Sequence, residues 1–175
     1  MPSSSPNVTA TVWDEVELAF PGAAMTVVVT TDGRSLTGLR FGTAADNSAW
    51  LHRAGAVRGA PGPLRDCAAQ LEAYAAGRLT EFDLPLELGG TPFQAAVWSA
   101  LRQVPYGHTV TYGWLAGEVG RPGSARAVGA AVGSNPIGIV VPCHRVIGAS
   151  GALTGFAGGL DNKIALLARE GVTAL

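Results

Sequence analysis

The residues best equipped for chemistry are a neighbouring pair, Cys143-His144, inside the run Ile139-Val140-Val141-Pro142-Cys143-His144-Arg145-Val146-Ile147. The reactive form of cysteine is the thiolate, and imidazole or cationic neighbours favour it. Free cysteine is also among the most buried residue types, so a purely structural thiol is the competing reading. Pro142 before the pair, Arg145 after it and Asn135-Pro136 upstream favour a nucleophile. The apolar run reads as a buried strand end. Pro142 has a fixed φ and no N–H, so the ladder should stop there. That arrangement puts Cys143 at the mouth of a strand, held by the core and facing a cleft. Cys67, in contrast, shares a helical face with Leu64, Ala68, Leu71, Tyr74 and Ala75, and reads as core packing.

The elements that must hold the pair follow from periodicity. Val12, Asp14, Val16, Leu18 and Phe20 alternate with Trp13, Glu15, Glu17 and Ala19, a half-buried strand pattern. Residues 24–30 are a second strand by β-branched content, and residues 35–41 a third beyond the Asp32-Gly33 turn. Residues 42–62 read as a surface connection with a short helix near 49–53. A helix is expected over 63–76, and residues 84–88 are extended. Gly89-Gly90-Thr91-Pro92 marks a boundary: Thr91 can cap and Pro92 can open a helix whose apolar face is Phe93, Val97, Ala100 and Leu101, ended by Pro105-Tyr106-Gly107. Thr111 caps a short helix over 112–118, and Ser124 caps another over 125–132. Two short helices with a glycine-containing turn between them have the helix-turn-helix layout. The second is rich in tiny residues and carries one charge, Arg126. It suits a reader of backbone shape and phosphate more than of base edges, or else a helix packed in the core. A glycine-rich loop over 148–159 and a last helix over 160–169, closed by Gly171, complete the chain.

Composition narrows the class. Of 175 residues, 47% are apolar and 14% charged, which marks a globular, core-rich chain and not a disordered one. No apolar run reaches the roughly 18 residues of a membrane span. Residues 1–6 lack the basic and apolar regions of a signal peptide and read as a short frayed end. Two cysteines make no secreted disulfide framework, so a reducing cytosol is the expected compartment. Three histidines with those cysteines give no zinc-ligand spacing, and neither a metal nor a cofactor is expected. Net charge is −1, but it is uneven: residues 1–90 carry net −4 and residues 91–146 net +3. A small nucleic-acid footprint on the second half fits this distribution, as does a simple surface fluctuation.

Read with its flanks, the Cys143 string resembles the active site of the O6-alkylguanine–DNA alkyltransferases. The resemblance is dense over residues 90–172. It runs through Thr91-Pro92-Phe93-Gln94, Val97-Trp98, Pro105-Tyr106-Gly107, Thr111-Tyr112, Arg126-Ala127-Val128-Gly129, Asn135-Pro136, Pro142 to Val146, Gly151 and Gly158-Gly159. Over residues 1–90 only the general layout is similar. The resemblance implies a two-part α+β chain: a ribonuclease H-like antiparallel sheet with a helix over 1–88, and a winged-helix, helix-turn-helix domain over 89–175. It implies irreversible, stoichiometric transfer of the alkyl group from O6-alkylguanine, and from O4-alkylthymine, in duplex DNA to Cys143. The damaged nucleotide must first be flipped out of the stack. By the same resemblance, His144 is the general base acting through a water, and Glu170, 27 residues beyond Cys143, orients it. A solvated charge at a helix end is the alternative for Glu170. Tyr112 assists flipping and donates to the base. Arg126 fills the vacated stack, with Ser124 and Ala127 beside it on DNA. Asn135 ties the helix-turn-helix to the active-site turn, or is a simple turn residue before proline. Pro142, Val146, Phe156 and Ala157 form the substrate pocket, with the Cys143 and Val146 carbonyls and the Ala157 N–H meeting the base.

This chain departs from the pattern in places. Phe156 and Ala157 stand where many relatives have tyrosine and some have serine. Gly113 replaces a polar phosphate contact of some relatives, and no zinc cluster is found in the first half. Two rival classes remain in view. A cysteine hydrolase would need an oxyanion hole, which nothing in the sequence identifies. A non-enzymatic lesion sensor of the alkyltransferase-like kind would lack the acceptor cysteine. By the same resemblance, the partner expected is lesion-containing duplex DNA, bound by a monomer acting singly or cooperatively along the DNA, with no membrane, and the location is cytoplasmic and nucleoid-associated, as in a prokaryote.

Overall fold

The computed structural model describes residues 10–173. The expectation for residues 1–6 falls outside that range. The first half is a sheet whose central strand has no wet face. Strand β1 (Val12–Phe20) pairs antiparallel with β2 (Ala23–Thr31), and β2 pairs antiparallel with β3 (Leu36–Phe41). Alternation in β1 buries Val16, Leu18 and Phe20, as its period predicts. In β2 the neighbours Val27, Val28 and Val29 are all buried, because helix α2 (Gly62–Ala75) covers one face. On the other side lies Trp50 of α1 (Ser48–Arg53), whose ring sits where a side chain on Gly38 would go. The turn after β2 is locked by Asp32, whose carboxylate accepts from the Arg34 and Ser35 N–H groups at 2.8 Å. A two-residue strand, β4 (Val57–Arg58), pairs parallel to β1 inside the stretch expected to be plain connection, giving the order β3-β2-β1-β4.

The second half is helical. Helix α3 (Pro92–Leu101) opens on a full capping box: Thr91 accepts from the Gln94 N–H while the Gln94 side chain accepts from the Thr91 N–H. It stops at Leu101, before the Pro105 expected to end it, and also buries Trp98, whose indole donates to the Ala131 carbonyl at 2.8 Å. After β5 (Val110–Thr111) come α4 (Tyr112–Glu118), capped by Thr111, and α5 (Ala125–Gly133). Ser124 does not cap α5: its hydroxyl donates instead to the Arg121 carbonyl, and local turn geometry captures it. Strand β6 (Val146–Ile147) pairs parallel with β5, and α6 (Leu160–Arg169) closes the chain. Among the described residues no helix is long and apolar enough to cross a membrane.

The halves share one core and one backbone seam. β3 is an edge strand, and its open side is taken by the other half: the Leu39 N–H donates to the Pro136 carbonyl at 2.8 Å. Unpaired strand edges are a liability, so this pairing both satisfies the sheet and anchors the segment that leads to Cys143.

Candidate active site

The segment before Cys143 is not a strand. Its apolar residues are buried, as the run implies, but they fold into two successive tight turns. The Val140 N–H donates back to Gly138 across Ile139, which takes a positive φ of 66°. That conformation is strained for a β-branched residue. The Cys143 N–H donates back to Val141 across Pro142. Strain of this kind persists only where the surroundings over-determine it. Asn135 supplies much of that restraint: its amide donates to the Val141 carbonyl at 2.8 Å and its oxygen accepts from the Ile137 N–H at 3.0 Å. Cys143 then opens a single 3-10 turn, Cys143–Arg145. An expected strand end is thus a turn: among the described residues its one ladder contact is that of Ile137 with Leu39 of β3.

Behind that turn lies a buried ionic cluster centred on Glu170, at the C-terminal end of α6. Its carboxylate has no solvent exposure. It accepts from His144 Nε2 at 2.8 Å, from Arg145 Nε and a terminal nitrogen at 2.9 Å, from the Tyr74 hydroxyl at 2.7 Å and from the Gly107 N–H at 3.1 Å. Glu170 is therefore not a solvated helix-end charge. Burial alone would raise its pKa, but the bonds from His144 and Arg145 outweigh that and hold it at about 2. His144 is pushed the other way: burial lowers its pKa, although Glu170 opposes this, so the neutral imidazole is favoured. With Nε2 donating to Glu170, Nδ1 is left as the acceptor, and it is buried with no hydrogen-bond partner among the described residues.

Cys143 is 8% exposed and lies in the wall of a cavity of about 380 Å³. Burial raises its thiol pKa, while the Asn135 amide and the Lys163 ammonium pull it back down. At rest the group is a thiol that needs a base nearby. The same cavity is lined by Tyr112, Asn135, Phe156 and Ala157. Pro142 and Val146 are buried behind it and do not line it. The Tyr112 hydroxyl stands 3.5 Å from the Thr154 hydroxyl, and the Tyr112 ring lies 3.7 Å from where a Cβ on Gly129 of α5 would be.

Helix α5 is two-sided. Val128, Ala131 and Val132 are buried, whereas Arg126, Ala127 and Ala130 are exposed, so it is not sunk in the core. Ser124 is half-buried at its start, outside the cavity.

Several site residues escaped the sequence reading. Lys163 is fully buried, donating to the Val146 carbonyl and to the Thr154 carbonyl at 3.1 Å. Its signal was present: Lys163, Leu166, Leu167 and Glu170 fall on one helical face, so a lysine and a glutamate occupy core positions. Arg145 sits in the motif itself, yet its role as partner to Glu170 and to the Val104 carbonyl needs the docked structure. Tyr74 looked like ordinary core on α2. Phe41 and Arg40, from the first half, line the cavity with no local sign of it.

Fold and site together define a class: a cysteine-nucleophile protein built around a helix-turn-helix. Residues 92–172 match the model of the 6-O-methylguanine DNA methyltransferase DNA-binding domain, and residues 26–88 that of the same family's ribonuclease-like domain. A Mycobacterium tuberculosis methylated-DNA–protein-cysteine methyltransferase is 59% identical over 110 residues, 63% of this chain and 67% of that protein. A protein of the same name from Shigella flexneri is 57% identical over 116 residues, 66% of each. The crystal structure of Mycobacterium tuberculosis OGT in complex with DNA superposes with a TM-score of 0.75 at 46% identity, covering 89% of this chain and 91% of that one. The chain belongs to the 6-O-methylguanine DNA methyltransferase family.

Proposed function

We propose that this protein repairs DNA directly, moving the alkyl group of O6-alkylguanine, and of O4-alkylthymine, onto Cys143 once per molecule. The observation that carries the reading is the thiol in the cavity wall with the His144–Glu170–Arg145 cluster behind it. His144 Nδ1 takes the thiol proton through a bridging water, and Glu170 holds the resulting imidazolium. The sulfur attacks the alkyl carbon in line, the carbon–O6 bond breaks, and its electron pair returns to the guanine, which regains a proton with help from the Tyr112 hydroxyl. A thioether remains on Cys143, and no step regenerates the thiol.

Duplex DNA is the partner, met by a monomer through the exposed face of α5. The target carbon cannot be reached inside the stack, so the nucleotide turns out into the cavity and Arg126 takes its place, beside Ser124 and Ala127. Asn135 positions the turn, Phe156 forms an apolar wall, the Ala157 N–H meets O6, and the Cys143 carbonyl accepts from the base amine, while the Val146 carbonyl is held by Lys163 behind the cavity. Residues 1–88 are the supporting domain, and residues 89–175 the domain that binds and reacts.

Intact-mass measurement after incubation with a duplex carrying O6-methylguanine tests this. The wild type should gain one methyl group per molecule, and Cys143→Ser should bind the duplex without gaining mass. Cys67 is the internal control, because burial pushes its thiol pKa up to about 12. Alkyl mapped to Cys67, multiple turnovers, or binding without transfer by the wild type would each overturn the proposal.

A further inference from the structure

We propose that Phe41, a side chain of the first-half sheet, sets the width of the alkyl-accepting cavity and so its selectivity between small and bulky O6 adducts. This rests on the reading that the cavity receives the alkylated base. Phe41 lines the cavity directly. Alternation along β3 puts Leu39 and Phe41 on one face, and Leu39 is hydrogen-bonded to the Pro136–Gly138 segment at both its N–H and its carbonyl. The position of the ring is therefore fixed by a backbone ladder and not by its own packing alone.

Two glycines identify what the ring does. A Cβ on Gly158 would lie 2.5 Å from the Phe41 ring, and one on Gly138 would lie 2.9 Å from it. Neither glycine has a positive φ, so the backbone does not demand glycine at either place. What excludes a side chain is the approach of Phe41, joined at Gly158 by the Phe156 ring at 2.9 Å. Gly138 begins the strained turn that ends at Cys143, and Gly158 follows Phe156-Ala157 in the opposite wall. Phe41 is thus a wedge between the two walls, touching each where nothing softer intervenes. It also meets Phe156 edge-on, with centroids 5.1 Å apart and planes at 65°, which holds the apolar wall toward the sulfur.

With the wedge removed, the Phe156 wall can retreat. A methyl carbon, small and dependent on being pressed toward the sulfur, loses alignment, whereas a benzyl group gains room. Misplacements of about 1 Å can cost on the order of a hundred-fold in rate. A shift in preference of at least roughly ten-fold is expected.

Single-turnover transfer rates test this on the full chain, with duplexes carrying O6-methylguanine or O6-benzylguanine, for wild type, Phe41→Ala and Phe41→Leu. The benzyl-to-methyl rate ratio should rise at least about ten-fold in Phe41→Ala and in the same direction, but less, in Phe41→Leu. A purely structural role would slow both substrates in parallel. An unchanged or lowered ratio in the variants overturns the proposal. Should Phe41→Ala fail to fold, Phe41→Leu, which nearly keeps the volume, decides alone. A wild type inert toward both duplexes would sink the repair reading itself, an outcome distinct from an unchanged ratio in active variants.

Discussion

Replacing Glu170 by glutamine keeps the shape of the side chain and removes the charge at the centre of the buried cluster. The wild-type carboxyl, ordinarily near 4.5, is held at about 2, which is linked to about 3 kcal/mol of folding stability at neutral pH. The variant also leaves the Arg145 guanidinium, only 8% exposed, without its anion. Removing one partner of a buried pair costs about 3–5 kcal/mol, so the two routes agree. For a chain of this size that is a fall in Tm of roughly 10 °C. The sign of the pH dependence follows from the depressed pKa. The stabilisation is complete above the unfolded-state value of about 4.5 and is lost as pH falls toward the folded-state value of about 2. All other acids are common to both proteins and cancel in the difference. The stability gap between wild type and Glu170→Gln should therefore narrow by about 1.4 kcal/mol per pH unit below about pH 4.5, or about 2 kcal/mol between pH 5 and 3. Denaturant unfolding of both proteins across that range measures it. A gap that stays constant would refute the idea that the cluster stabilises Glu170 as an anion.

Arg126→Ala should slow repair of duplex DNA far more than dealkylation of free O6-benzylguanine, by an amount on the order of the few kcal/mol needed to unstack a base; equal losses on both substrates would count against a flipping role. Because burial lowers the His144 pKa, the neutral base should persist below the usual imidazole range, so the transfer rate should reach half its maximum at a pH below about 6.5. A half-maximal rate near pH 6.5 would contradict that. Alkylation of Cys143 adds volume inside a packed turn, and overfilling of this kind costs about 1–3 kcal/mol. Melting should then order as unmodified above methylated above benzylated, and equal or rising midpoints would show that the cavity takes the product without strain.

The parts of this protein legible in its sequence are those written by near neighbours. Alternation in β1, the Thr91 cap of α3 and the Thr111 cap of α4 depend on residues a few positions apart, and they stand as the pattern predicts. The Cys143-His144 pair is equally local. Ser124 shows the limit of such reasoning, since a carbonyl three residues back outcompetes the helix for its hydroxyl. The apolar run before Cys143 announces burial correctly, but burial alone does not distinguish a strand from a turn. The choice falls to the β3 edge and to Asn135, which hold Ile139 in a conformation that it would not adopt alone. Glu170 meets Tyr74 across 96 residues of chain, and Arg145 meets Val104 across 41. Phe41 reaches the cavity only because its strand is zipped to Pro136–Gly138. Periodicity tells which face of an element is buried and is silent about what that face meets. A buried charge becomes a stabilised anion, and a core phenylalanine a pocket wall, only when the elements dock and water is excluded between them.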